Sequence, residues 1–166
     1  MLLLITCSST VLDYVEAGAI CTTIRSPENY SPSFTSPLTG GLFGEALCSR
    51  CFEQIIDAMT YIHSRNVIHR DIKPANILVT LSGQVKIIDF GVSDIVETIA
   101  GKALVRDTEG TWLFWAPEIC SDDNESSGSQ YDAFAADVWA AGLCLWICSF
   151  GTLPYYGEQV TGRVRE

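Results

Sequence analysis

The sequence is short of charge, and shortest of lysine. Charged residues make up 18% of its 166 positions, and the lysines are Lys73, Lys86 and Lys102 alone. Lys and Arg total 10 against 20 Asp and Glu, a formal net charge of −10. A surface that binds nucleic acid or an anionic membrane needs surplus positive charge, so neither partner is expected. Long apolar runs are lacking too. The longest covers residues 138–148 and reaches Phe150 past Ser149. A membrane span needs roughly 18 or more apolar residues, so this run predicts a buried core helix. No secretory leader is expected. Residues 1–5 have no positive flank, and Asp13 and Glu16 interrupt the approach to Ala17-Gly18-Ala19. A disulfide pattern is also missing: Cys7, Cys21, Cys48, Cys51, Cys120, Cys144 and Cys148 are odd in number and irregular in spacing. That predicts buried free thiols in a reducing compartment, and hence a soluble cytoplasmic protein.

Hydrophobic residues make up 48% of the chain, enough for a real core and against overall disorder. Residues 10–20 predict a short strand and a turn at Gly18. Residues 22–41 carry Pro27, Pro32 and Pro37 among many Ser and Thr, which predicts a loop, since proline blocks helix interiors and sheet ladders. Leu47, Cys51, Ile55 and Met59 recur every four residues, with Phe52, Ile56 and Ile62 widening the face, and predict a helix over 45–64. Short strands are expected at 67–68, 77–79 and 85–88, with a hairpin turn at Ser82-Gly83 between the last two. Residues 92–115 read as mostly loop, and the acidic stretch 121–130 as exposed. Asp137 is the expected N-cap of the apolar helix 138–150, with a break at Leu153-Pro154.

Four motifs follow one another. They are His69-Arg70-Asp71-Ile72-Lys73-Pro74-Ala75-Asn76, then Asp89-Phe90-Gly91, then Ala116-Pro117-Glu118, then Asp137-Val138-Trp139-Ala140-Ala141-Gly142. Singly each has an ordinary reading: a turn carboxylate at Asp71, a cap at Asn76, a strand-end carboxylate at Asp89, a solvated charge at Lys73. As an ordered and spaced set they are specific. On these residues the chain resembles the eukaryotic protein kinases of serine/threonine type, over roughly residues 10–157.

The resemblance implies a mainly α (α+β overall) fold, the kinase C-terminal lobe with short β-hairpins and almost none of the small lobe. Residues 1–21 would be a small-lobe remnant with the hinge, 22–41 the loop, 42–157 the partial lobe and 158–166 a tail. Phosphoryl transfer needs a group that orients the hydroxyl nucleophile, and oxygen ligands for a metal that holds the nucleotide phosphates. Asp71 matches the catalytic base, Lys73 the lysine that contacts the transferring phosphate, and Asn76 and Asp89 the ligands of Mg2+. ATP and a protein substrate are the implied partners. Leu12, Asp13 and Val15 would line the adenine pocket. Arg70 would answer to a phosphate on the activation segment, for which Thr108 is the candidate, although Thr108 reads equally as a plain exposed threonine. Thr111 resembles the threonine that contacts the catalytic loop. His69, Phe90, Gly91, Glu118 and Asp137 take structural roles: Gly91 frees the backbone to turn, and Asp137 bonds catalytic-loop amides from within the core.

Asp89–Ser93 reads DFGVS and Asp107–Thr111 reads DTEGT, which resembles the calcium/calmodulin-dependent protein kinase kinase group. A calmodulin-type regulator would apply only to a longer form. The family's glycine-rich loop and upstream lysine precede the hinge, and residues 1–12 contain neither. We therefore expect the 166-residue polypeptide by itself to lack normal kinase activity; a lobe kept as a docking module is the alternative. Cys48-Ser49-Arg50-Cys51 has redox spacing but reads as core packing within a helix. Cys144, Trp146, Cys148 and Phe150 are expected to be partly uncovered.

Overall fold

A computed structural model of the chain describes residues 18–24, 33–36, 39–120 and 130–155. Leu12, Asp13 and Val15, the strand expected before Gly18, and nearly all of the acidic stretch lie outside these residues. Gly18 itself has a φ of 75°, as a turn there requires.

The stripe of apolar residues forms helix α1, Glu45–His63. Cys48, Cys51, Ile55, Met59 and Ile62 are its buried residues, so the inner face turns slightly from Leu47 towards Cys48. Glu45 sits in the first turn, where a negative charge suits the helix dipole. The Ser64 amide closes the helix on the carbonyls of Ile62 and Thr60.

Helix α2, Ala133–Phe150, differs from expectation at its start. Asp132 is the N-cap, and its side chain accepts from the Phe134 amide at 3.2 Å. Asp137 is not a cap: it lies one turn inside the helix and is 2% exposed. Ala133, Phe134 and Ala136 have the helix propensity and the apolar surface to carry the helix a turn further back. Its end is set by Gly151, at φ 72°, whose amide bonds the Ile147 carbonyl at 2.8 Å. The break therefore precedes Leu153-Pro154, and Leu153 is buried. By length and composition α2 is apolar enough to cross a membrane. Ala140, Ala141, Leu143, Cys144, Ile147 and Cys148 pack one face of it into the protein core.

Around the two helices lie four two-stranded antiparallel pairs. β1 (Thr22–Ile24) pairs with β2 (Ser33–Thr35), β3 (Val67–Ile68) with β6 (Asp94–Ile95), β4 (Ile77–Val79) with β5 (Val85–Ile87), and β7 (Leu104–Val105) with β8 (Tyr131–Asp132). The first pair corrects the expectation of a loop over 22–41: the three prolines fall outside both strands, so none interrupts the ladder. Gly83, at φ 80°, turns the β4–β5 hairpin.

The main core joins α1 and α2 to β4 and to Ile20 and Cys21. A smaller cluster holds Ile68, Ala103, Tyr131 and Ala133. Cys144 and Cys148 are buried, contrary to expectation, because they belong to the main core, where Cys148 meets Cys21. Trp146 and Phe150 lie on the other side and are exposed, with ring centroids 4.4 Å apart.

Candidate active site

The segment between β3 and β4 carries the richest set of polar side chains, and α2 fixes its backbone. Asp137 accepts from the His69 amide through Oδ2 and from the Arg70 amide through Oδ1, both at 2.9 Å. Its Oδ2 is also 2.9 Å from His63 Nε2, at the end of α1. One buried carboxylate thus ties α1, α2 and the loop together. The loop is strained at Arg70, whose φ is 67°, so the anchoring amides hold a conformation that a non-glycine residue rarely adopts.

Asp71 follows at once. Its Oδ1 accepts from the amide and the hydroxyl of Thr111, at 2.9 and 2.8 Å. Its Oδ2 accepts from Lys73 Nζ at 2.7 Å and from Asn76 Nδ2 at 3.0 Å. Burial pushes this carboxyl up, but the bonds from Lys73 and Thr111 outweigh it and hold Asp71 below the usual carboxylate range. Asp71 is therefore an anion at neutral pH. Lys73 Nζ also donates to Thr111 Oγ1 at 2.8 Å. Asp71, Lys73 and Thr111 form a closed triangle.

Asn76 is buried, and its Nδ2 is spent on Asp71, on the carbonyl at 2.9 Å as well as the carboxylate. The amide oxygen is what remains to bind a ligand. Asp89 is exposed at the end of the β4–β5 hairpin, with a φ of 64°. The left-handed residue of this motif is therefore Asp89 and not Gly91, which corrects the role expected of the glycine. A Cβ at Gly91 would lie 3.1 Å from Asp89 Oδ1, so the glycine leaves room for that carboxylate. Asn76 and Asp89 offer hard oxygen donors, the type Mg2+ prefers, and too few to cage it without phosphate oxygens and water. No cluster of three or more His, Cys, Asp or Glu converges among the described residues. The donor set thus fits a metal shared with a nucleotide.

His69 links the two halves of the site. Its Nδ1 accepts from the Asp71 amide at 3.3 Å, and its Nε2 donates to the Ile88 carbonyl at 3.0 Å. Only the neutral ring makes both bonds. Burial lowers the His69 pKa, against the opposing pull of Asp137, and keeps it neutral. The Phe90 ring packs on it at 4.7 Å.

Arg70 turns outward. Its Nε donates to the Val92 carbonyl and its Nη1 pairs with Asp107 Oδ2. Thr108 is the exposed neighbour of Asp107, and Glu118 is exposed in the turn 117–119. Two residues that the motifs did not reveal complete the arrangement. The Tyr131 hydroxyl donates to the Asp107 carbonyl at 2.9 Å, and burial with the nearby Asp107 pushes its pKa up to about 12. Gly110, at φ 91°, passes so close to the loop that a Cβ there would lie 2.2 Å from the Arg70 carbonyl oxygen. A glycine just before Thr111 was a visible signal for such a contact; Tyr131 had none.

Sequence comparison agrees with this geometry. Residues 8–166 match the protein kinase domain. The chain is 34% identical to CBL-interacting protein kinase 31 of Oryza sativa subsp. japonica over 150 residues, 90% of this chain and 29% of that protein. It is 36% identical to CBL-interacting serine/threonine-protein kinase 5 of Arabidopsis thaliana over 129 residues, 78% of this chain and 28% of that protein. The chain thus spans under a third of the length of these curated relatives. With most of its length matched, and with the loop from His69 to Asn76 folded around one carboxylate, the chain belongs to the protein kinase domain family, with serine/threonine kinases as its relatives.

Proposed function

We propose that this chain is the catalytic-loop part of a protein serine/threonine kinase, the C-terminal lobe segment that receives a protein hydroxyl and holds the nucleotide's metal. The observation that carries the reading is the triangle of Asp71, Lys73 and Thr111. The Thr111 hydroxyl donates to Asp71 and accepts from Lys73. A substrate serine or threonine hydroxyl makes the same demands: an anion to accept its proton and a cation beside its oxygen. Asp71, held below the usual carboxylate range, is a weak base. It orients the hydroxyl first and takes the proton only as the oxygen commits to phosphorus. Lys73 neutralises charge on the same side. Mg·ATP, when bound, supplies the phosphoryl group; Asn76 and Asp89 are the residues that would hold the metal. Leu12, Asp13 and Val15 keep their proposed place at the adenine.

The kinship to the calcium/calmodulin-dependent protein kinase kinase group rests on DFGVS, DTEGT and HRDIKPAN. The relatives' names favour a CBL-type regulator as the alternative partner. The free cysteines support a reducing compartment such as the cytoplasm.

The test is ATP-dependent phosphorylation of serine or threonine in a protein acceptor by the natural full-length product, wild type against Asp71→Asn. The reading expects a loss of ~10²-fold or more in kcat, the scale of general-base removal, from a variant that still unfolds cooperatively, with a lowered melting midpoint. Equal transfer by the variant would contradict it.

A further inference from the structure

Five thiols from three separate stretches of the sequence meet in the main core: Cys21, Cys48, Cys51, Cys144 and Cys148. Two of them touch. Cys21 Sγ lies 3.6 Å from Cys148 Sγ across 127 residues of chain. We propose that Cys21 and Cys148 form a peroxide-driven, thiol-reversible disulfide that straps the segment entering β1 to the last turn of α2.

Three observations single out this pair. First, the other thiols are engaged or isolated. Cys48 faces the Ser149 hydroxyl at 3.3 Å and the Leu145 carbonyl, whereas burial raises Cys51 and Cys144 and keeps them protonated. Second, the pair is polarised. Either thiol can donate across this contact, and the contact, ahead of burial, moves the pKa of Cys21 down and that of Cys148 up. In the proposed step Cys21 is the nucleophile and Cys148 the proton donor. Third, one side can yield. An S–S bond of about 2.05 Å requires the sulfurs to approach. Cys148 is fixed in α2, but residues 18–21 are tied to β4 chiefly through the bonds Ile20 N to Ile77 O and Val79 N to Gly18 O. Closing the gap takes an approach of about 1.5 Å between the sulfurs.

The chemistry balances with hydrogen peroxide as oxidant. The Cys21 thiolate attacks one peroxide oxygen, the O–O bond breaks, and the leaving hydroxide takes a proton to become water. Cys21 is then a sulfenic acid. The Cys148 sulfur attacks the Cys21 sulfur, the S–O bond breaks, and the displaced hydroxide leaves as a second water with the Cys148 proton. Two thiols lose two electrons and peroxide gains them. A dithiol reductant reverses the step.

The experiment treats the reduced wild-type chain with stoichiometric hydrogen peroxide, alkylates the remaining thiols and maps the peptides by mass. The inference expects a joined peptide containing Cys21 and Cys148, lighter by two hydrogen masses and split by dithiothreitol. It expects Cys51 and Cys144 to stay unoxidised. Cys21→Ser and Cys148→Ser should each abolish that peptide, and peroxide should raise the melting midpoint of the wild type but not of either variant. The wild-type map needs no variant to fold. A cross-link through Cys48 and Cys51, oxidation confined to the exposed Cys120, or intact Cys21 and Cys148 thiols would each overturn the proposal.

Discussion

The loop of residues 67–79 and the segment 92–110 face each other but are held quite differently. In the loop, His69, Asp71 and Asn76 meet Asp137 of α2 in a group of buried polar side chains, and every buried side-chain nitrogen or oxygen among the described residues has a partner. In the segment, β6 and β7 are two residues long, and Ile95 and Ile99 are more than 60% exposed. The loop draws its order from distant elements, above all from α2 through Asp137. The segment is joined to the loop by the short β3–β6 ladder and by Val92 and Asp107 on Arg70, and Thr111, just beyond it, bonds Asp71. The candidate site is thus anchored firmly on one side and more sparsely on the other. The difference is one of hydrogen-bond anchoring and of hydrophobic burial together: Val67, Ile68, Ile72, Ile77 and Val79 are buried in the loop, against Ala103 in the segment.

The strongest way to break the contrast is to remove its anchor. Asp137→Ala strands the buried His69 and Arg70 amides and leaves His63 without its carboxylate. Unsatisfied buried groups cost about 1–3 kcal/mol each, so a loss of ~3 kcal/mol or more is expected in urea unfolding. Little change would mean that the loop holds its shape without α2.

Gly110→Ala comes next and strikes the point where the two regions meet. Its Cβ would collide with the Arg70 carbonyl, and its φ of 91° is unfavourable for alanine. We expect a loss of about 1–3 kcal/mol, concentrated in the segment. Amide exchange of Thr111 should quicken while that of His69 stays slow. Equal quickening of both would show that the regions are one unit.

A smaller effect comes from acid. The His69 pKa is lower folded than unfolded, so between the two values the unfolded chain binds the extra proton. Stability from this group is present above the unfolded value near ~6.5 and is lost as pH falls through the lowered one. The melting midpoint should drop in that window, before Asp71 takes part. Asp71 acts only below its own unfolded value near ~3.9, where falling pH removes its stabilising anion. His69→Asn should flatten the first decline; an unchanged slope would remove His69 from the account.

The smallest effect belongs to the segment. Asp107→Asn weakens an ion pair whose carboxylate is 62% exposed, and such pairs contribute roughly 0–1 kcal/mol. A melting shift at the edge of detection is expected. A large one would make the segment as firmly held as the loop.

Much of this was legible in the sequence, and what was missed has physical reasons. The α1 stripe and the β4–β5 hairpin read directly, because periodicity and turn chemistry are local, whereas the loop from His69 to Asn76 was read through the family resemblance of its motif. Asp137 carried two expectations, a cap and a buried anchor, and only its position in space decides between them. As an anchor it needs the partner amides 68 and 67 residues away. The strands β1 and β2 were hidden by prolines that lie beside them. Tyr131 and the Cys21–Cys148 contact depend wholly on tertiary proximity, which neither spacing nor composition encodes.

Native-state amide hydrogen exchange of the intact chain tests the central claim most directly. The account predicts that the His69, Arg70 and Asn76 amides exchange near the rate of global unfolding, while most amides of 92–110 exchange orders of magnitude faster. Similar rates in both regions, or fast exchange at His69 and Arg70, would contradict it.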